Sequence, residues 1–267
     1  ASGTDLTSAA AVEFENTYAA VGSITFAGSK TLTGRNFTAG DTFSFELYKV
    51  DGSGDTLLET KVIAPTSGSN EAFTFNSLSY SLADNGNTYT YKIVEKAESI
   101  AGITYDTTAY TASYEIEDGG DGTVVATRKS GTDLTSSTAV AFENTYAASA
   151  SIAFSGTKAL SGRDFKAGDT FTFELYAKVG GLDVLIDTKT ITPTSGSNET
   201  FTFKTLNYTL ADKDQLRTYK IKEKVENIAG ITYDTTEYTA TYEVTDNGDG
   251  TLLLTRKSGT DLTAASD

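Results

Sequence analysis

One offset runs through the whole chain: Asn16 and Asn144, Lys30 and Lys158, Pro65 and Pro193, Glu95 and Glu223 all differ by 128, with no insertion or deletion between them. A repeat of this length is too long for a solenoid unit and specifies tandem whole domains. The 267 residues suffice for two such domains, each with its own core. The phase sets the expected boundaries: 1–18 as a last-strand segment, either of a preceding domain or a donor; 19–146 as domain one; 147–267 as domain two, which stops before its own copy of "VEFENTY". That string stands at residues 12–18, and its counterpart "VAFENTY" at 140–146.

Within each copy the hydrophobic signal has period two. "FSFELY", "FTFNSLSYSL", "TYTYKIVEK" and "YTASYEIE", with their partners in the second copy, alternate and are rich in Thr and Tyr, as half-buried strands are. Gly, Asp, Asn and Ser clusters such as "EDGGDGT" and "DNGDGT" separate them and supply hairpin chemistry. No helical period is sustained. The expected class is all-β, as two tandem Ig-like β-sandwiches.

Composition removes most chemistries. With no Cys and no His, disulfides, thiol nucleophiles, Ser/His/Asp triads and soft or imidazole metal sites are out of reach. The net charge of -15 disfavours nucleic acid and anionic membrane surfaces, and no apolar run is long enough to insert into a bilayer. "EDGGDGT" and "DNGDGT" lack the closing Glu of a calcium loop and are expected to be β-turns. "TLTGRNF" and "ALSGRDF" each carry an Arg expected to hold a structural salt bridge. No metal and no cofactor is expected. The absence of Met as well as Cys suits an extracellular life, and the chain is expected to be a mature or excised segment.

Parity exposes a contradiction. In "ITFAGSKTL", Lys30 shares a face with Ile24, Phe26 and Leu32; in "VAFENTY", Asn144 shares one with Phe142 and Tyr146; in "TYKIVEK", Glu95 shares one with Tyr91 and Ile93. Lys158 and Glu223 repeat the pattern. Burying a charge without a partner costs several kcal/mol, so the three residues are expected to meet. Either they form a buried salt bridge with an Asn hydrogen bond, or the Lys and Asn do not remain separate side chains.

"F-x-G-x-K-x-L-x-G-R-x-F", then "Y-K-I-x-E-K" followed by "G-I-T-Y-D-T-T-x-Y", then "F-E-N-T-Y", resemble the isopeptide-linkage domains of Gram-positive major pilins and repetitive surface adhesins. The resemblance spans both copies. It implies an amide between Lys30 and Asn144 promoted by Glu95, formed once by each site rather than by a turnover enzyme. In the second copy Glu223 would promote a bond from Lys158, and Asn16 of another molecule would complete it. The implied function is a shaft or stalk module of a bacterial surface fibre; the phase of the repeat, with a spare last-strand segment at residues 12–18 and none at the end of domain two, adds either head-to-tail polymerisation by strand donation or a strand supplied by the continuation of a longer array. The implied partners are copies of itself or neighbouring repeats of a longer array. The alternative is an adhesin module that recognises a host protein or glycan.

Overall fold

A computed structural model describes residues 6–7 and 13–263 of the chain. It divides into two compact units, residues 1–99 with 104–145, and residues 100–103 with 146–267.

The first unit is built from β1 (Val21–Ile24), β2 (Ala27–Thr33), β3 (Phe43–Asp51), β4 (Gly54–Ile63), β5 (Asn70–Thr74), β6 (Leu78–Ser81), β7 (Thr88–Lys96), β8 (Ile103–Thr104), β9 (Ala109–Asp118), β10 (Val124–Gly131) and β11 (Ala141–Tyr146). One sheet runs β10-β9-β7-β3-β4 and another β5-β2-β11-β8, with a short β1-β6 pair beside them. The pairings in the five-stranded sheet are antiparallel, whereas β2 and β11 run parallel. A parallel pair needs a long crossover, and here most of the domain lies between the two strands.

Alternation explains which side chains reach the interior. In β2 the buried residues are Gly28, Lys30 and Leu32; in β11 they are Phe142, Asn144 and Tyr146; in β7 they are Tyr91, Ile93 and Glu95. The inward parity expected from sequence therefore holds at all three polar positions. Aromatic rings fill the space between the sheets: Phe45 of β3 stacks on Phe73 of β5 at 3.9 Å and meets Phe142 of β11 at 5.2 Å. Gly28 makes room for this stack, since a Cβ there would stand 2.4 Å from the Phe73 ring.

The second unit contains β12 (Ser149–Ile152), β13 (Ser155–Ala159), β14 (Phe171–Val179), β15 (Leu182–Ile191), β16 (Asn198–Thr202), β17 (Leu206–Thr209), β18 (Leu216–Lys224), β19 (Glu237–Asp246) and β20 (Leu252–Gly259). Its large sheet, β15-β14-β18-β19-β20, repeats that of the first unit. Its second sheet does not: only β13 and β16 pair, where the first unit has four strands. Two strands, the counterparts of β11 and β8, are missing among the described residues. Residues 231–232, which match β8, lack strand pairing because the strand they would pair with is not there.

The segment 13–18 differs from β11 only at its first residue, Glu13 in place of Ala141, but takes no place in a sheet; all six residues are exposed, Phe14 by 88%. Its far end is tethered. The Tyr18 hydroxyl donates to Asp118 at 2.8 Å and accepts from the Gly122 N–H at 3.0 Å. Val12, and residues 1–5 and 8–11 of the expected leading segment, lie outside the described residues.

Phe142 and Phe14 are thus the same residue of the repeat in opposite environments. Phe142→Ala is expected to destabilise domain one by about 3–5 kcal/mol, as large-to-small core substitutions of Phe do. Phe14→Ala is expected to stay within about 0.5 kcal/mol of the parent for the monomeric chain. Thermal or urea unfolding of both variants at low protein concentration checks the contrast.

Candidate functional site

Three strands deliver the polar cluster of the first unit. Lys30 is paired in register with Phe142, and Leu32 with Asn144, so Lys30 and Asn144 are diagonal neighbours on one face of the parallel pair. Glu95 arrives from β7 in the opposite sheet. The Lys30 Nζ donates to Glu95 Oε2 at 2.8 Å, and Asn144 Nδ2 donates to Glu95 Oε1 at 2.9 Å. Lys30 and Asn144 are fully buried and Glu95 is buried with them. The Phe43 ring centroid lies 5.2 Å from the ammonium nitrogen.

Burial decides the protonation. Removal from water pushes the Glu95 carboxyl above its ordinary value, against the pull of Lys30; the same removal pushes the Lys30 amine down, against the pull of Glu95. Both shifts favour the neutral pair, an amine beside a carboxylic acid. A neutral amine is a nucleophile, and held against a carboxamide it gains an effective concentration equivalent to roughly 7–11 kcal/mol of barrier.

The carboxamide is oriented by a residue to which the sequence reading gave no role. The main-chain N–H of Asp106 donates to Asn144 Oδ1 at 2.7 Å, and the Asp106 carboxylate accepts the Glu143 N–H at 3.0 Å. Glu95 consequently faces the nitrogen of the carboxamide, not its oxygen. A protonated Glu95 polarising the carbonyl is what carboxylic-acid chemistry alone suggests; the geometry sets Glu95 against the carboxamide nitrogen instead. The signal for Asp106 was the motif "GITYDTT", present at 102–108 and 230–236.

In the second unit Lys158 and Glu223 meet in the same way. Lys158 Nζ donates to Glu223 Oε2 at 2.9 Å and lies 2.8 Å from Oε1. Oε1 has that ammonium for its partner and receives no amide N–H; its counterpart in the first unit is the atom that receives Asn144. No Asn is brought to this pair among the described residues, and Asn16, predicted to serve it, is exposed. Beside the pair opens a groove of about 530 Å³, lined by Gly156, Lys158, Phe173, Phe201, Ile221 and Asp234 among others.

The other motifs resolve as structure. Asp118 and Asp121 accept main-chain N–H groups of their own turn, as do Asp246 and Asp249. Among the described residues no cluster of acidic groups is arranged to hold a metal ion. Arg35 clamps Asp41 with bonds of 2.7 and 2.9 Å, and Arg163 does the same with Asp169. No described helix is long and apolar enough to cross a membrane.

A family model described as the Spy0128-like isopeptide containing domain (FctA) matches the chain twice, at residues 26–147 and 154–264. Among solved structures, the major pilin of Streptococcus pyogenes is 18% identical, with 90% of this chain and 93% of that chain covered and a TM-score of 0.37. The shaft pilin SpaA of Lactobacillus rhamnosus GG is 11% identical, with 88% and 99% covered and a TM-score of 0.22. No curated protein matches. The structural scores are low, and the sequence match alone carries the family.

The shifts of the buried pair have a measurable sign. In an Asn144→Ala chain, where Lys30 has no carboxamide to meet, the amine is expected to titrate below the model-lysine value of about 10.4. The unfolded chain then binds the Lys30 proton more tightly, so this group makes stability rise with pH between its folded value and its unfolded one. Glu95 acts oppositely: its folded value is raised, so stability falls as pH climbs from the ordinary Glu range through the raised value. Nitrogen NMR of the Lys30 amine checks the direction; titration together with model lysine would contradict it.

Proposed function

The chain belongs to the Spy0128-like isopeptide containing domain family in both of its units, and from that premise we propose that it is a shaft module of a bacterial surface fibre whose domains are closed by Lys–Asn amide bonds. The observation that carries this reading is the buried Lys30–Glu95–Asn144 cluster. A cluster that is only structural would bury two ionisable groups at a cost that a hydrophobic trio avoids. A cluster that reacts removes both charges for good.

The reaction balances without a cofactor. Lys30 passes a proton to Glu95 and attacks Asn144 Cγ with its free electron pair. Glu95 then shuttles a proton from the attacking nitrogen to Nδ2; the Cγ–Nδ2 bond breaks, ammonia leaves, and an Nζ–Cγ amide remains. Each site reacts once. The bond would close a loop of 144 minus 30, or 114 residues, for which the loop-entropy model gives roughly 4–5 kcal/mol of restriction on the unfolded chain.

Intact mass under denaturing conditions is expected to fall short of the sequence mass by at least one ammonia, with the peptides of Lys30 and Asn144 joined in a digest. Full sequence mass with both residues free would refute the bond. Glu95→Ala is expected to keep the ammonia and to melt well below the parent, because Lys30 stays buried without its acid and the loop stays open.

The second unit extends the proposal to assembly. Its groove, its unpaired β13 edge and a Lys158–Glu223 pair that no carboxamide joins among the described residues together call for one strand with Phe and Asn two residues apart. Residues 12–18 of another copy fit: Phe14 for the aromatic floor, Asn16 for Lys158 and Glu223. Adding a strand to an open edge is an established mode of recognition, and a head-to-tail contact of this type propagates as a filament. Boiling in denaturant is expected to leave a covalent ladder in multiples of the chain mass, which Asn16→Ala or Lys158→Ala reduces to monomer. A parent chain that stays monomeric at high concentration, with Lys158 unmodified, would sink donation while leaving the bond in domain one untouched.

A further inference from the structure

We propose that the main-chain N–H of Asp106 is the oxyanion donor for amide formation, and that the Asp106 carboxylate is the latch that brings the asparagine strand into register with it. The inference rests on the reading of Lys30, Glu95 and Asn144 as a reacting trio, and adds the component that trio lacks. When the amine attacks, negative charge develops on Asn144 Oδ1. Glu95 is committed to the other side of the carboxamide, with Oε1 on Nδ2 and Oε2 on Lys30. The donor aimed at Oδ1 is the Asp106 N–H, at 2.7 Å. That distance lies within the range at which a fixed donor stabilises a developing oxyanion, and buried dipoles of this kind need no reorganisation as charge appears.

The loop that presents this N–H is tied at both ends by one side chain. Asp106 Oδ1 accepts the Thr108 N–H at 2.8 Å, which folds the loop back on itself, and Oδ2 accepts the Glu143 N–H at 3.0 Å, which joins it to β11. Glu143 immediately precedes the reacting asparagine. The residue that positions the strand through its carboxylate thus polarises the electrophile through its main chain. Donor and strand are locked to each other before the amine arrives.

The second unit carries the same device, unengaged by a strand. Asp234 stands on the groove wall with Oδ1 accepting the Thr236 N–H at 2.9 Å. An arriving segment aligned by the repeat would offer the Glu15 N–H to the Asp234 carboxylate and Asn16 Oδ1 to the Asp234 N–H. Asp234 would then read the backbone of the incoming strand, while Phe173 and Phe201 read its phenylalanine.

Replacing residue 106 of the full chain by its α-hydroxy acid analogue, through suppression in cell-free synthesis, exchanges the N–H for an ester oxygen and keeps the carboxylate. Freshly made chains are sampled into denaturant and the loss of ammonia in domain one is followed by intact mass. The ester chain is expected to react about 100- to 1,000-fold more slowly than the parent, the effect of deleting one oxyanion donor, while circular dichroism shows the same folded state. Equal rates in two folded chains would overturn the inference and leave the amide bond standing. A parent chain that never loses ammonia would overturn both. Should the ester chain fail to fold, Asp106→Asn decides: it retains the N–H and an acceptor oxygen, and is expected to react within about tenfold of the parent, while Asp106→Leu keeps the N–H, loses the latch and slows by more. Equal rates for those two would overturn the latch, and rates for both that fall about 100-fold or more below the parent, with the N–H retained, would overturn the assignment of the N–H as sufficient donor.

Discussion

A lysine, a glutamate and an asparagine sealed together between two sheets are the constraint on which the first domain depends. Lys30 and Asn144 have no contact with water, and the surrounding rings of Phe43, Phe45 and Phe142 offer no polar substitute. The cluster is therefore stable only when complete, because removal of one member leaves a charge or an amide stranded in an apolar interior. This requirement fixes the topology around it. Lys30 and Asn144 must sit on neighbouring strands, which makes β2 and the last strand, β11, partners, and Glu95 must come from the facing sheet. The stack of Phe73 on Phe45, and the missing side chain at Gly28, follow from closing the sheets over that cluster.

The second domain shows the same constraint unmet. Lys158 and Glu223 still pair, but no carboxamide joins them among the described residues and the apolar wall stands open. The two domains act as a natural comparison: two copies of one repeat, with and without the strand that carries asparagine. What differs is confined to the smaller sheet, while the five-stranded sheet is the same in both. That sheet forms its own hydrogen-bonded framework and does not need the closing strand to hold its order.

Much of this was legible in the sequence because β2, β7 and β11, the strands that carry the cluster, alternate without a bulge. Parity alone put Lys30, Glu95 and Asn144 inside, and the constant offset turned three oddities into one repeated arrangement. Three things were not legible. Asp106 acts in part through its main chain, and an N–H carries no mark in a sequence; its loop also has no period from which to infer direction. The side of the carboxamide that Glu95 faces was equally hidden, since it depends on which group claims the oxygen, and that group is Asp106. Tyr18 is a third case. Its tether to Asp118 and Gly122 pairs residues about a hundred positions apart, and its side chain reads simply as one more aromatic in an alternating strand.

The parallel register of β2 and β11 has a consequence for fidelity. A slip of one residue turns every side chain of a strand to the other face, which would carry Asn144 away from Lys30 and present Glu143 or Thr145 instead. A slip of two residues keeps the face but brings Phe142 or Tyr146 to the amine, and neither has a group that can yield an amide. Under the proposed chemistry only one alignment leaves a product, and that product does not revert. The domain would then work as a ratchet with proofreading: wrong alignments remain free to dissociate and try again, while the right one is recorded permanently in the covalent structure.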